Sequence, residues 1–138
     1  MKTTFFMIFL LFGTVTVFTA NAQSSSHEAA PEWAAFRKAD DSLQHVYNHV
    51  QEEYSSNQDF IRQLKKSQAL WKEMRDADML MRFPKKDENP NFYGSVFSKC
   101  YYIIATDYTN HRIDYLNQWL KGIPEGDVCS GSIRFKKD

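Results

Sequence analysis

The 138-residue chain is short of several things, and each shortage removes a class of protein. No charge sign is in excess: 17 Lys and Arg face 17 Asp and Glu. Nucleic-acid binding rests on neutralising phosphates, so this balance gives it no support. It also offers no polybasic face to a membrane. There are only two cysteines, Cys100 and Cys129. Their separation rules out a redox C-x-x-C motif. No G-x-G-x-x-G, no G-x-x-x-x-G-K-[ST] and no G-x-S-x-G occurs, so neither a phosphate cradle nor a nucleophile elbow is present. No strand-type alternation appears anywhere. With no catalytic set converging on a pocket, the residues point away from an enzyme and imply no cofactor.

Long apolar runs are also scarce. The one present, Phe5 to Phe18, is about 14 residues, short for a bilayer-spanning helix. It follows Lys2 and precedes Ala20-Asn21-Ala22, a small-x-small cleavage site. The pattern predicts a secretory signal peptide over 1–22, with Gln23 as the new first residue. No cysteine stands at that site to take a bacterial lipid anchor. Removing it leaves 16 basic against 17 acidic side chains, in a length that suits one small domain. The expected organisation is a disordered Ser-rich lead-in over 23–30, a helical domain over 31–121 and a tail over 122–138. Export to an oxidising compartment makes a Cys100–Cys129 disulfide the expectation. Closing a loop of roughly 30 residues would contribute about 3–4 kcal/mol.

What is present is helical periodicity. Pro31 suits a first helical turn. Trp33, Phe36, Leu43, Val46, Tyr47, Val50 and Tyr54 then recur at three- and four-residue steps. The polar face of this helix is acidic, with Asp40, Asp41, Glu52 and Glu53. Ser56 or Asn57 can cap a second helix, marked by Phe60, Ile61, Leu64, Trp71, Met74 and Met81 and ending near Arg82. FPKKDENPNFYG, residues 83–94, reads as a loop. Gly94-Ser95 opens a third helix with Ser95 as N-cap; Val96, Cys100, Ile103, Ile104, Tyr108, His111, Tyr115, Leu116, Trp119 and Leu120 mark it. Gly122 and Pro124 end it. The predicted fold is all-α: an antiparallel bundle of three long amphipathic helices with a disulfide-tethered tail.

Two constellations carry possible chemistry. His45, His49 and Glu53 share a helical face and could hold a metal. No fourth ligand is evident, and they read more simply as solvated. Arg75 follows Trp71 by one turn and lies on or beside the core stripe. Asp76 points about 100° away around the helix, so the two are not expected to form one simple pair. A guanidinium at that edge needs an acceptor. Asp40, Asp41, Asp107 and Asp114 are candidates on other helices, and the expectation is that Arg75 bridges helices and sets their register. Direct contact with a partner is the other reading.

Taken in order, these residues resemble the bacterial domain named after the lysozyme inhibitor LprI. Its pattern has a Leu-Asn-x-x-Tyr element, then Ala-Gln-x-x-Trp-x-x-x-Arg-Asp-x-x-Cys, then Gly-Ser, Cys, Thr-x-x-Arg and Leu. Here stand Leu43 and Tyr47, Gln68 and Trp71, Arg75 and Asp76, Gly94 and Ser95, Thr109 and Arg112, and Leu116. The likeness spans about residues 38–121. Gln44 replaces the usual Asn, and Met79 stands where the family has a Cys that commonly pairs with the Cys100 position. Cys129 is the substitute partner that remains, leaving the second helix held by packing alone. The resemblance implies a bacterial envelope protein, periplasmic or secreted, that binds and inhibits lysozyme. An envelope module with a different protein partner is the alternative. Neither reading needs catalytic, cofactor or metal residues. The motif residues could be structural or binding, and the loop offers Lys85, Lys86 and Tyr93 to carboxylates of a partner cleft. Alternatively that loop is only a connection.

Overall fold

A computed structural model of the chain describes residues 30–89 and 91–136. The predicted signal peptide and residues 23–29 lie outside the described residues. Three helices make up the regular structure: α1 (Pro31–Glu53), α2 (Gln58–Arg82) and α3 (Phe97–Lys121). Pro31 sits in the first turn of α1, where its missing N–H costs nothing. Asn57 caps α2, its side-chain oxygen accepting from the Phe60 N–H at 3.0 Å. Ser95 does not cap α3. That helix starts two residues later, with Val96 at the cap and no side-chain bond there. Gly94, at φ +76°, makes the turn instead, and its carbonyl accepts from the Phe97 N–H at 3.2 Å.

Among the described residues the chain is thus all-α, with one isolated backbone bridge in the tail. Helix α1 packs most closely on α3, and α2 more loosely. Small buried side chains permit the close pair: Ala39 on α1, Ala105 and Thr109 on α3. The Thr109 hydroxyl is satisfied by donating to the Ala105 carbonyl at 2.8 Å. Glu32 lies 3.6 Å from Lys99 at one end of this pair, and the Tyr54 hydroxyl donates to the Trp119 carbonyl at the other. Start therefore meets start and end meets end, so α1 and α3 run in the same direction. Leu43, Val50, Tyr54, Leu64, Trp71 and Leu116 form the core. Met79 is 2 % exposed and fills core space as an apolar side chain.

Not every periodic apolar residue is buried. Met74 and Met81 on α2, and Val96, Ile103 and Tyr115 on α3, are exposed, as are Cys100 and His111. The apolar positions of α2 spread too widely for one seam. Met74 and Met81 lie about 60° and 80° round the helix from Trp71, beyond what the loosely packed neighbours cover.

The expected disulfide is absent: Cys100 and Cys129 are both free and exposed. The reason is where the tail docks. It folds onto the far end of α3, where the Ile123 N–H donates to the Arg134 carbonyl at 3.1 Å and the Lys136 N–H to the Ile123 carbonyl at 2.9 Å. Cys100 is in the first turn, and at 1.5 Å per residue the helix carries it roughly 28 Å from Trp119. A disulfide needs Cα atoms within about 7 Å. Alkylation of the unreduced protein is expected to add two thiol labels by mass; a product with none would restore the staple.

Arg134 latches the tail instead. Its guanidinium lies 4.2 Å over the Tyr54 ring, pairs with the Glu53 carboxylate at 3.3 Å and donates to the Glu53 carbonyl. A cation at the C-terminal end of α1 also suits the helix dipole. Trp119 Nε1 donates to the Ser132 hydroxyl at 2.9 Å. Gly122 makes the turn at φ +68°, and a Cβ there would meet the Arg134 carbonyl oxygen at 2.9 Å. Gly122→Ala is expected to cost about 1–3 kcal/mol through a strained left-handed residue and that backbone clash. Faster tryptic cleavage at Arg134 would report the loosened tail, and an unchanged cleavage rate would contradict the latch.

Candidate functional site

Motif residues Arg75 of α2 and Arg112 of α3 converge on Trp71, and Leu43 of α1 packs in the same core cluster. This ring is 9 % exposed. The Arg75 guanidinium carbon lies 5.1 Å from its centroid and that of Arg112 lies 5.7 Å from it. Arg75 is 6.0 Å from the Phe36 ring as well. Its side chain is 11 % exposed and reaches across to α1, where Nη1 stands 3.7 Å from Asp40. The helix-bridging expectation is thus met, with Asp40 as the partner. The expectation that Arg75 and Asp76 do not pair is corrected. Arg75 Nε donates to Asp76 Oδ1 at 3.0 Å, and Nη2 is 3.0 Å from the same oxygen. A long, flexible side chain folds back through the 100° that separates the two Cβ directions. Nη1 itself is buried without a hydrogen-bond partner, since 3.7 Å is too long for one.

Arg112 approaches from α3. Its Nε donates to Gln68 Oε1 and its Nη2 to the Ser67 hydroxyl, both at 3.0 Å. It is 7 % exposed, and among the described residues no carboxylate pairs with it. Burial pushes its pKa below the usual arginine range, and the Tyr115 phenol weakly opposes this. The remaining motif positions divide cleanly. Leu43, Thr109 and Leu116 are buried in the core, Tyr47 is half-buried, and Gly94 and Ser95 are exposed in the turn before α3.

Between α1 and α2 lies a cleft of about 300 Å³ lined by Tyr47, Gln68 and the edge of Trp71 beside Asp40, Gln44, Lys65 and Lys72. Phe83, Phe92, Tyr93, Phe97 and Tyr101 form a separate aromatic platform. Phe83 meets Tyr93 at 5.4 Å, Phe97 at 5.2 Å and Tyr101 at 5.9 Å between ring centroids. Tyr93 is turned inward, its hydroxyl accepting from the Lys85 N–H at 3.0 Å. Lys86 pairs with Asp87, and that hydrogen bond raises its pKa. Lys85 Nζ stands 5.0 Å over exposed Phe92. Of the three loop residues singled out, Lys85 is the one most available to a partner, and Phe92 joins it. His49 lies 3.9 Å from Glu53, and among the described residues no group of three or more His, Cys, Asp or Glu is placed to hold a metal.

Sequence reasoning did not assign Arg134 or the contacts of Arg112. For Arg112 a signal existed: it falls three residues after Thr109 and four before Leu116, on the core stripe, just as Arg75 follows Trp71. Arg134 lies between Ile133 and Phe135, a lone cation in an apolar pair, which hints at a docked tail.

The chain is thus a small helical bundle in which Arg75 and Arg112 share the face of Trp71. Residues 19–116 match the family described as Lysozyme inhibitor LprI, and the chain belongs to that family. The tail from 117 onward lies beyond the match. No curated protein and no solved structure matches the chain. Among the described residues no helix is long and apolar enough to cross a membrane.

Proposed function

We propose that the protein is exported to the periplasm or beyond the cell and there binds and inhibits lysozyme, protecting peptidoglycan without catalysis of its own. The family match over residues 19–116 carries this reading. Exposed Asp41 and Glu52 along α1 support it, because an acidic face steers encounter with a basic lysozyme. Lysozymes cleave with a pair of carboxyl groups. Lys85, with Phe92 beside it and Lys86 and Tyr93 shaping the loop, is the group offered to that cleft. In this reading α2 runs antiparallel to α1 and α3, supported by Tyr54 on Phe60 at 4.4 Å and by Asp40 beside Arg75.

The test is a cell-wall lysis assay with increasing purified protein, at two salt concentrations. Inhibition near stoichiometric ratios supports the reading, and its loss at high salt implicates the acidic helix. No inhibition of any lysozyme class would move the search to other envelope proteins. One observation favours that second reading: Leu70, Met74 and Met81 line up exposed on α2. Such a stripe suits an apolar protein surface, and it lies on α2, away from the charged loop offered to the lysozyme cleft.

A further inference from the structure

The cleft between α1 and α2 is separate from the loop assigned above to lysozyme, and donors outnumber acceptors in its lining. We propose that it binds a carboxylate carried on a compact polar body, from either a carboxylated amino sugar or a short peptide. Four donors face one carboxylate and one amide oxygen there, the latter from Gln44, whose Nε2 donates to Asn48 Oδ1 at 2.8 Å. Gln68 is the most informative. Its Oε1 accepts from Arg112 Nε at 3.0 Å, and a guanidinium can only donate. The amide is therefore fixed with its oxygen toward α3, leaving its NH₂ for the cleft it lines.

Lys65 and Lys72 line the same cleft and make no ion pair among the described residues. They are two turns apart on one face of α2, a rise of about 10.5 Å, so they flank the opening. The half-buried Tyr47 hydroxyl likewise has no hydrogen bond among the described residues, and burial raises its pKa, keeping it protonated. Asp40, the single carboxylate, already faces Arg75. Two ammonium groups, an amide NH₂ and a phenol are thus left for an acceptor-rich, anionic guest. Ala69 leaves the space open, since a larger side chain on that wall would occupy it. A volume of about 300 Å³ suits one sugar ring or one to two residues of a peptide.

The test is an NMR titration of the purified protein with three probes at matched ionic strength: N-acetylmuramic acid, N-acetylglucosamine and N-acetylglutamate. The Trp71 indole and Gln68 side-chain signals are expected to shift saturably with at least one carboxylate-bearing probe and not with N-acetylglucosamine. Trp33 and Trp119 lie outside the cleft and serve as internal references. Saturation by the muramic acid alone assigns a sugar acid, and by the glutamate derivative alone a peptide carboxylate. Either way, Lys65→Glu with Lys72→Glu, and separately Ala69→Trp, are expected to weaken binding at least tenfold with an unchanged helical spectrum. No saturable shift, an equal response to N-acetylglucosamine, or undiminished binding in both variants would overturn the proposal. These probes contain no lysozyme, so the outcome is independent of the lysis assay.

Discussion

Trp71→Ala is expected to remove about 3–5 kcal/mol of stability, the range seen when a buried Trp is cut back to Ala. For a domain of this size that is a fall in Tm of roughly 15 °C or more. The ring is 9 % exposed and belongs to the core cluster with Leu43, Leu64 and Leu116. Its loss opens a cavity that α2, packed loosely on its neighbours, can only partly close. It also removes the shared face on which Arg75 and Arg112 lie, at 5.1 and 5.7 Å. Each such contact is worth about 0.5–2 kcal/mol. Trp71→Phe keeps a ring in place and is expected to lose less than half as much. Thermal denaturation followed by circular dichroism measures both. A loss under about 1.5 kcal/mol for the alanine variant would be too small for a buried Trp. It would move Trp71 from the fold to partner contact.

What the sequence discloses and what it conceals follow from the range of each interaction. Local patterns were readable: Pro31 starting α1, Asn57 capping α2, Gly122 ending α3, and the apolar steps from Trp33 to Val50. Arg75 was readable too, because a cation one turn from a core Trp must find an acceptor, and Asp40 supplies one. Its pairing with Asp76 was not, because Cβ directions say little about the end of a long side chain. Ser95 had the right chemistry for a cap at the wrong residue, since Gly94 set the turn. The disulfide expectation rests on compartment, which is silent on distance, and the tail docks at the other end of α3 from Cys100. Met74 and Met81 kept the helical period yet face outward, because periodicity does not state how wide a seam the neighbours cover. Arg112 on Gln68 and Arg134 on Glu53 join positions 44 and 81 residues apart, which no local pattern connects.

Arg112 separates the roles of charge and packing. Arg112→Ala is expected to cost about 2–4 kcal/mol, because it strips the packed stem and leaves Gln68 Oε1 without its donor. Arg112→Met also leaves Gln68 Oε1 without its donor but keeps most of the stem and takes a charge with no carboxylate partner out of the interior, so it is expected to cost less, about 1–2 kcal/mol. The lowered pKa points the same way. A base whose pKa is depressed on folding holds its proton less tightly in the folded state, so carrying the charge weakens the fold at every pH below that depressed value. Stability from this group would rise only in strong alkali, far from working conditions. Arg112→Lys keeps the charge and loses the planar fork that serves Gln68 and Ser67 together, and should fall between the other two. The partners are neutral amide, hydroxyl and aromatic groups, so added salt should leave this order unchanged. If methionine cost as much as alanine, the hydrogen bonds to α2 would outweigh the packing, and Arg112 would act chiefly as a tie between helices. If methionine were neutral for stability yet abolished the Gln68 response in the carboxylate titration, the arginine would be needed to orient that amide rather than to hold the fold.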